Sequence, residues 1–198
     1  VIVVLAGGRA TRMGGGDKAL RILGDATLLD HVLARLAGQG GRIVLNANGD
    51  PARFARFGLE VVADTVPDHP GPLAGVLAGM EWAIGHAPDC TDIVTVPTDG
   101  PFIPRDLIAQ LLAARAAEGA ELACASSLGR THPVVGLWPV RLAGELRAAL
   151  LGGVRRVEAW TAGFRLVQVP FEGGAVDPFL NINRVEELAE AETLLGRG

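Results

Sequence analysis

Two hydrophobic rhythms alternate along the chain. Short runs rich in valine, isoleucine and leucine fall at residues 2–5, 43–46, 59–63, 93–96, 122–125 and 134–138, and each run of four or five residues predicts a strand. Between them, apolar residues recur every three or four positions. Residues 27–37 place Leu29, Val32, Leu33 and Leu36 on one face; residues 73–86 repeat Leu73, Val76, Leu77, Met80 and Ile84; residues 106–117 carry Leu107, Ile108, Leu111 and Leu112. These spacings predict amphipathic helices. A last helix is expected around Leu188, Ala191 and Leu195, with Asn183 and Glu186 at capping-box spacing before it. Residues 179–183 read as a short strand with Asn181 and Asn183 on one face.

Strands alternating with helices predict an α/β fold, a Rossmann-like three-layer sandwich with a mostly parallel sheet and ligands at the carboxyl ends of its strands. At 198 residues, with no repeat, low-complexity tract or linker, the chain reads as a single domain over 1–198. The proline- and glycine-rich stretches 66–72 and 97–104 fall between elements and read as site loops.

Composition removes several classes of function. A formal charge of −4 gives no broad basic face for a nucleic-acid binder. Basic charge is local instead, because Arg9, Arg12, Lys18 and Arg21 face a single acid, Asp17, near the start of the chain, as a small polyanionic ligand requires. No segment approaches the ~20 apolar residues of a membrane span, and the apolar run Val1 to Ala6 is too short and lacks the charged flank expected of a secretory signal. Cys90 and Cys124 lack metal or disulfide spacing and read as free thiols in a reducing cytoplasm. The four histidines form no metal-site spacing, and no Ser-His-Asp or Cys-His order predicts a covalent intermediate.

The chemistry concentrates in the loop that leaves the first strand, Leu5-Ala6-Gly7-Gly8-Arg9-Ala10-Thr11-Arg12-Met13-Gly14-Gly15-Gly16-Asp17-Lys18. Glycines let backbone N–H groups approach anionic oxygens, and the cations add charge, so the loop reads as a phosphate cradle for a nucleotide. It is neither of the two commonest nucleotide loops. Lys18 follows Asp17 and precedes Ala19, where a P-loop needs Gly-Lys-Ser/Thr, and G-x-G-x-x-G has no match between Gly7 and Gly16. The loop alone does not separate hydrolase, transferase and sensor. Asp99, in Pro97-Thr98-Asp99-Gly100-Pro101, stands at a strand's carboxyl end, where it suits either a Mg²⁺ shared with phosphates or an Asx-turn. Asn46 and Asp64 also end strands and fit a turn as well as a ligand. In Pro70-Gly71-Pro72-Leu73-Ala74-Gly75, Pro72 suits a first helical turn and Gly75 permits close approach to the backbone.

The form L-A-G-G-x-x-x-R-M-G-G-x-D-K resembles the nucleotidyltransferase signature, and within it most closely that of the molybdenum cofactor guanylyltransferases. The resemblance covers residues 5 to about 188 and includes the P-x-D-x-P-x-I-P and P-G-P-L-A-G elements. It implies transfer of GMP from GTP to molybdenum-molybdopterin, with Mg²⁺ as cofactor and pyrophosphate released. It also implies transient contact with the proteins that deliver and receive the cofactor. By the same resemblance Arg12, Lys18 and Asp99 are catalytic and Asp99 is the metal ligand. Leu5, Ala6, Gly7, Gly8, Lys18, Asn46, Asp64, Gly75 and Asp99 would hold the nucleotide, mainly from 1–104, with Asn181 on the acceptor side, mainly 105–198. Arg155 or Arg156 matches an R-R-V segment and fits either the acceptor's phosphate or solvent. His132, before Pro133, is expected to be structural. A cytidylyltransferase, a sugar-phosphate nucleotidyltransferase and a non-catalytic nucleotide binder are the rival readings.

Overall fold

The strand runs assemble into one seven-stranded sheet in the computed structural model, which describes residues 1–7, 16–67, 71–174 and 176–195. Gly8, Arg9, Arg12 and Pro70 therefore lie outside the described residues. In chain order the strands are β1 (Ile2–Leu5), β2 (Ile22–Leu23), β3 (Ala26–Thr27), β4 (Ile43–Asn46), β5 (Glu60–Val62), β6 (Asp92–Pro97), β7 (Leu122–Ser127), β8 (Arg130–Pro139) and β9 (Leu166–Pro170). The helices are α1 (Leu28–Leu36), α2 (Pro72–His86), α3 (Leu107–Ala117), α4 (Ala143–Leu151), α5 (Val157–Thr161) and α6 (Val185–Leu195). The sheet order is β5-β4-β1-β6-β8-β7-β9, and β2 pairs with β3 as a separate hairpin. All pairings in the large sheet are parallel except those of β8, which runs against β6 and β7.

Side chains alternate across each strand, and both faces are apolar, so both must be covered. Ile2, Val4, Leu45, Val94 and Val96 pack with Leu29, Val32 and Leu36 of α1 and Leu107 and Leu111 of α3. On the other face Val3, Val44, Ile93 and Trp138 pack with Val76, Leu77 and Met80 of α2 and Leu146 and Leu150 of α4. The result is the expected three-layer sandwich. Helix α1 starts where the sequence places it because Thr27 and Asp30 form a capping box, each side chain bonding the other residue's backbone N–H.

Several elements differ from expectation. Residues 179–183 form no strand; Asp177 folds them into a turn, its Oδ1 accepting from Phe179 N at 3.0 Å and its carbonyl from Leu180 N at 3.0 Å. The hairpin β2–β3, strand β9 and helices α4 and α5 are additional. Helix α4 has apolar residues at helical spacing, Ala143, Leu146 and Leu150, but it begins without a side-chain cap and contains Gly144. Among the described residues no helix is long and apolar enough to cross a membrane.

Candidate active site

Parallel strands deliver their carboxyl ends to one edge of the sheet, and that edge gathers the polar residues. Main-chain bonds continue the ladder past the strands: Ala6 N donates to Asn46 O at 2.8 Å, Ala47 N to Val62 O at 3.0 Å and Thr98 N to Leu5 O at 3.2 Å. Following the sheet order, the edge presents Asp64 after β5, Asn46 on β4, residues 5–7 at the end of β1, Asp99 after β6 and His132 near the start of antiparallel β8.

Lys18 sits at the centre of this edge. It lies in a 3₁₀ turn, is 8% exposed, and donates from Nζ to Asp99 Oδ2 at 2.7 Å and Asn183 Oδ1 at 2.5 Å. Three distant parts of the chain therefore meet at one ammonium group. A further main-chain bond, Ile182 N to Asp99 O at 2.9 Å, fixes the segment that carries both asparagines against Asp99. The other carboxylate oxygen, Asp99 Oδ1, is buried and has no hydrogen-bond partner among the described residues. Leaving such an atom without a partner is costly, and a cation would satisfy it. A lone carboxylate oxygen is a donor of the kind Mg²⁺ takes, since Mg²⁺ commonly binds one or two carboxylates and shares substrate phosphates. Asp17 does not join this centre; it pairs with Arg53 Nε at 2.7 Å.

Toward β5 the polar residues form a clamped carboxylate. Asn46, 5% exposed, donates to Val62 O at 3.1 Å and Asp64 Oδ1 at 2.9 Å; Asn48 donates to Asp64 Oδ2 at 2.7 Å and accepts from Asp64 N at 2.9 Å. Asn48 thus holds Asp64 at both its carboxylate and its main-chain N–H. Gly75 is buried, and what approaches its backbone closely is the protein itself: a Cβ there would lie 2.3 Å from Asn46 Oδ1 and 2.6 Å from Leu5 Cδ2. Gly7 is different, because a Cβ there meets nothing within 4 Å among the described residues. The contrast between Gly75 and Gly85 in the same helix gives a direct test. Gly85 has open space, so Gly85→Ala should stabilise the protein by roughly 0.5–1 kcal/mol through helix propensity. Gly75→Ala should instead destabilise it by about 1–3 kcal/mol, since overpacking against Asn46 and Leu5 outweighs the same gain. Thermal melts of the two variants moving in the same direction would refute this account of Gly75.

On the β8 side, Ser127 Oγ donates to Asp177 Oδ1 at 2.7 Å and lies 2.7 Å from His132 Nε2, and the His132 ring packs on Phe179 with centroids 4.7 Å apart. The order is Asp–Ser–His. A nucleophilic triad needs the histidine in the middle, so this series does not activate the serine. Burial lowers the His132 pKa below the usual value, Asp177 opposes that shift, and Arg130 adds to it. Beside the ring is a cavity of about 140 Å³ that Asn181 also lines. Arg155 is committed elsewhere, donating to the carbonyls of Leu150 and Val154 at 3.0 Å, and Arg156 faces Glu158 at 3.7 Å on the surface.

The family model for the MobA-like NTP transferase domain matches residues 2–166. A protein from Bradyrhizobium sp. named molybdenum cofactor guanylyltransferase is 53% identical over 193 residues, covering 97% of this chain and 91% of its own length. One of the same name from Nitrobacter hamburgensis is 52% identical, covering 97% and 92%. The chain belongs to the molybdenum cofactor guanylyltransferases, within the MobA-like NTP transferases. It is a nucleotidyltransferase. The solved structure of molybdopterin-guanine dinucleotide biosynthesis protein A from Archaeoglobus fulgidus shares the fold, with a TM-score of 0.79 at 20% identity over 100% of this chain and 99% of that one. In this guanylyltransferase family member, Asn183 is the polar group at the centre that sequence spacing misassigns. Among the described residues its side-chain oxygen accepts from Lys18, while the backbone N–H groups of Asn183 and Arg184 donate to Glu187 Oε2.

Proposed function

We propose that this chain transfers GMP from GTP to the terminal phosphate of molybdenum-molybdopterin, forming the guanine dinucleotide form of the cofactor. An acceptor phosphate oxygen attacks the α-phosphorus of GTP, the bond from that phosphorus to the bridging oxygen breaks, and pyrophosphate leaves with the electron pair. The observation that carries this reading is the meeting of Lys18, Asn183 and a half-buried Asp99, whose buried Oδ1 lacks a partner among the described residues, at the edge where the glycine-rich loop begins. The attacking oxygen is already ionised at neutral pH, so no strong base is needed and positioning with charge neutralisation carries the rate.

Lys18 exchanges its contacts in the free protein for triphosphate oxygens, and Arg12 adds charge from the same loop. Leu5, Ala6, Gly7 and Gly8 offer backbone to the phosphates and ribose. Asp64, held by Asn46 and Asn48, accepts hydrogen bonds from the nucleoside, and Gly75 acts by seating Asn46. Asn181 faces the acceptor. Asp99 would hold Mg²⁺ through Oδ1, and Mg²⁺ when bound supplies charge neutralisation on the phosphate oxygens. Proteins that deliver and receive the cofactor are its transient partners.

Pyrophosphate release measured with GTP, CTP, ATP and UTP, each with and without molybdopterin, tests the reading. Release is expected only with GTP and molybdopterin together. A base lacking guanine's N–H donors leaves pocket acceptors unpaired, at about 1–3 kcal/mol each, so CTP should react at least tenfold less efficiently. CTP serving as well as GTP would make the chain a cytidylyltransferase, and binding of GTP without any release would make it a carrier.

A further inference from the structure

We propose that the cavity beside Asp99 seats the heterocyclic ring of the acceptor substrate, with His132 Nδ1 accepting a hydrogen bond from its ring N–H donors. The inference rests on the guanylyltransferase reading above. A proton count leads to it. Ser127 Oγ carries one proton, and that proton goes to Asp177 Oδ1, a carboxylate oxygen that accepts. In its contact with His132 the same Oγ must therefore accept, so Nε2 carries the ring proton and Nδ1 keeps its lone pair. Nδ1 has no hydrogen-bond partner among the described residues. The assembly is rigid: Ser127 is 3% exposed, Asp177 is fixed by Phe179 N, and Phe179 packs on the imidazole. Burial lowers the ring's pKa, which favours the uncharged form with a free lone pair.

The cavity has the size for one ring of a heterocycle, and it stands in a matching place. Its volume is about 140 Å³, and a void of roughly 150 Å³ accommodates one six-membered ring. Pro97, Val135 and Phe179 give it apolar walls, while His132 and Asn181 supply polar atoms. The Asn181 amide has no hydrogen bond to the described residues, so it offers both a donor and an acceptor. Gly100 also lines the cavity, directly after Asp99, so a ring held here lies next to the Lys18–Asp99 pair. The pyrimidine ring of a pterin presents this chemistry: it is planar, carries adjacent N–H donors and a carbonyl, and is the one six-membered ring that such a volume takes. Guanine has the same edge, but the clamped Asp64 lies on the opposite side of Asp99 along the sheet, which leaves the β8 side to the acceptor.

His132→Phe keeps an aromatic ring against Phe179 and removes both nitrogens, and two measurements read its effect. Binding of a free pterin, followed by quenching of its fluorescence, should weaken about tenfold or more relative to the unsubstituted protein. In GMP transfer the KM for molybdopterin should rise by a similar factor, with the KM for GTP unchanged. His132→Asn, whose Oδ1 stands near the position of Nδ1, should recover most of the loss. Should His132→Phe fail to fold, Ser127→Ala carries the test, because freeing the ring's proton and orientation should still raise the acceptor KM severalfold without touching GTP. The proposal falls if the unsubstituted protein does not bind the pterin, if the variants bind it equally well, or if the KM for GTP rises instead. Absence of pyrophosphate release from GTP and molybdopterin in the unsubstituted protein would overturn the guanylyl reading, whereas pterin quenching reports on the cavity by itself.

Discussion

Asp99→Asn is expected to lower GMP transfer at saturating Mg²⁺ by about two orders of magnitude or more while leaving the protein folded. Asparagine keeps the size of the side chain, its turn-forming ability and an oxygen for Lys18, so the loss to stability is that of a weakened charge-assisted contact. About 1 kcal/mol corresponds to a melting temperature only ~2–4 °C lower in a chain of this size. The variant carries no negative charge for a cation, and its amide cannot reproduce an ionised Oδ1. Lys18 loses its ionic partner at the same time and is freer to meet phosphate, so GTP binding measured without metal should be no weaker than in the unsubstituted protein. Together these give a signature: slow turnover, retained nucleotide binding, a small melting shift. Turnover near the unsubstituted rate at saturating Mg²⁺ would show that Asp99 serves only the turn after β6.

The place of Asp99 just past a strand end was legible in the sequence, and the reason is local. Asp99 follows a largely aliphatic strand and stands among prolines, so its position at a strand end is written within a few residues. The central strands were legible on the same ground, because β1, β4 and β6 are buried on both faces and read as nearly continuous aliphatic runs, with Thr95 the one polar residue inside 93–96. The outer strand β9 is half-exposed and ends in Pro170, and β2 and β3 have two residues each, too few for any period to show. Helix α5, with five residues, fails for the same reason.

Asn183 was illegible for an opposite reason. A strong local pattern, Asn followed three residues later by Glu before an apolar helix, supplied a sufficient explanation for it. The long-range demand won because Lys18 is nearly buried, and its ammonium group needs acceptors that the surrounding backbone does not provide. Glu187 then satisfies the helix start from one turn inside, which frees the asparagine side chain. His132 shows the same limit. Nothing near residue 132 announces Asp177, and only the packing of the 177–180 turn against β7 and β8 joins them through Ser127.

Lys18→Ala should weaken GTP by about ten- to a hundredfold and guanosine hardly at all, since a charge-assisted bond to phosphate contributes roughly 1.5–3 kcal/mol. The free protein complicates the experiment. Lys18 is bonded to Asp99 and Asn183, so its removal leaves Asp99 Oδ2 without a donor beside an Oδ1 that already lacks one, at a cost of about 1–3 kcal/mol in stability. A lower melting temperature is therefore expected as well, and by itself it says nothing about phosphate. The double variant Lys18→Ala with Asp99→Asn separates the two effects, because with no carboxylate at position 99 there is no buried charge left to satisfy. Its melting temperature should return most of the way to that of Asp99→Asn alone. Its affinity for GTP, measured by calorimetry without metal, should stay as low as in Lys18→Ala. Recovery of both quantities together, or equal weakening of GTP and guanosine in the single variant, would make Lys18 a residue that only neutralises Asp99. Recovery of stability without recovery of GTP binding assigns its ammonium group to the triphosphate.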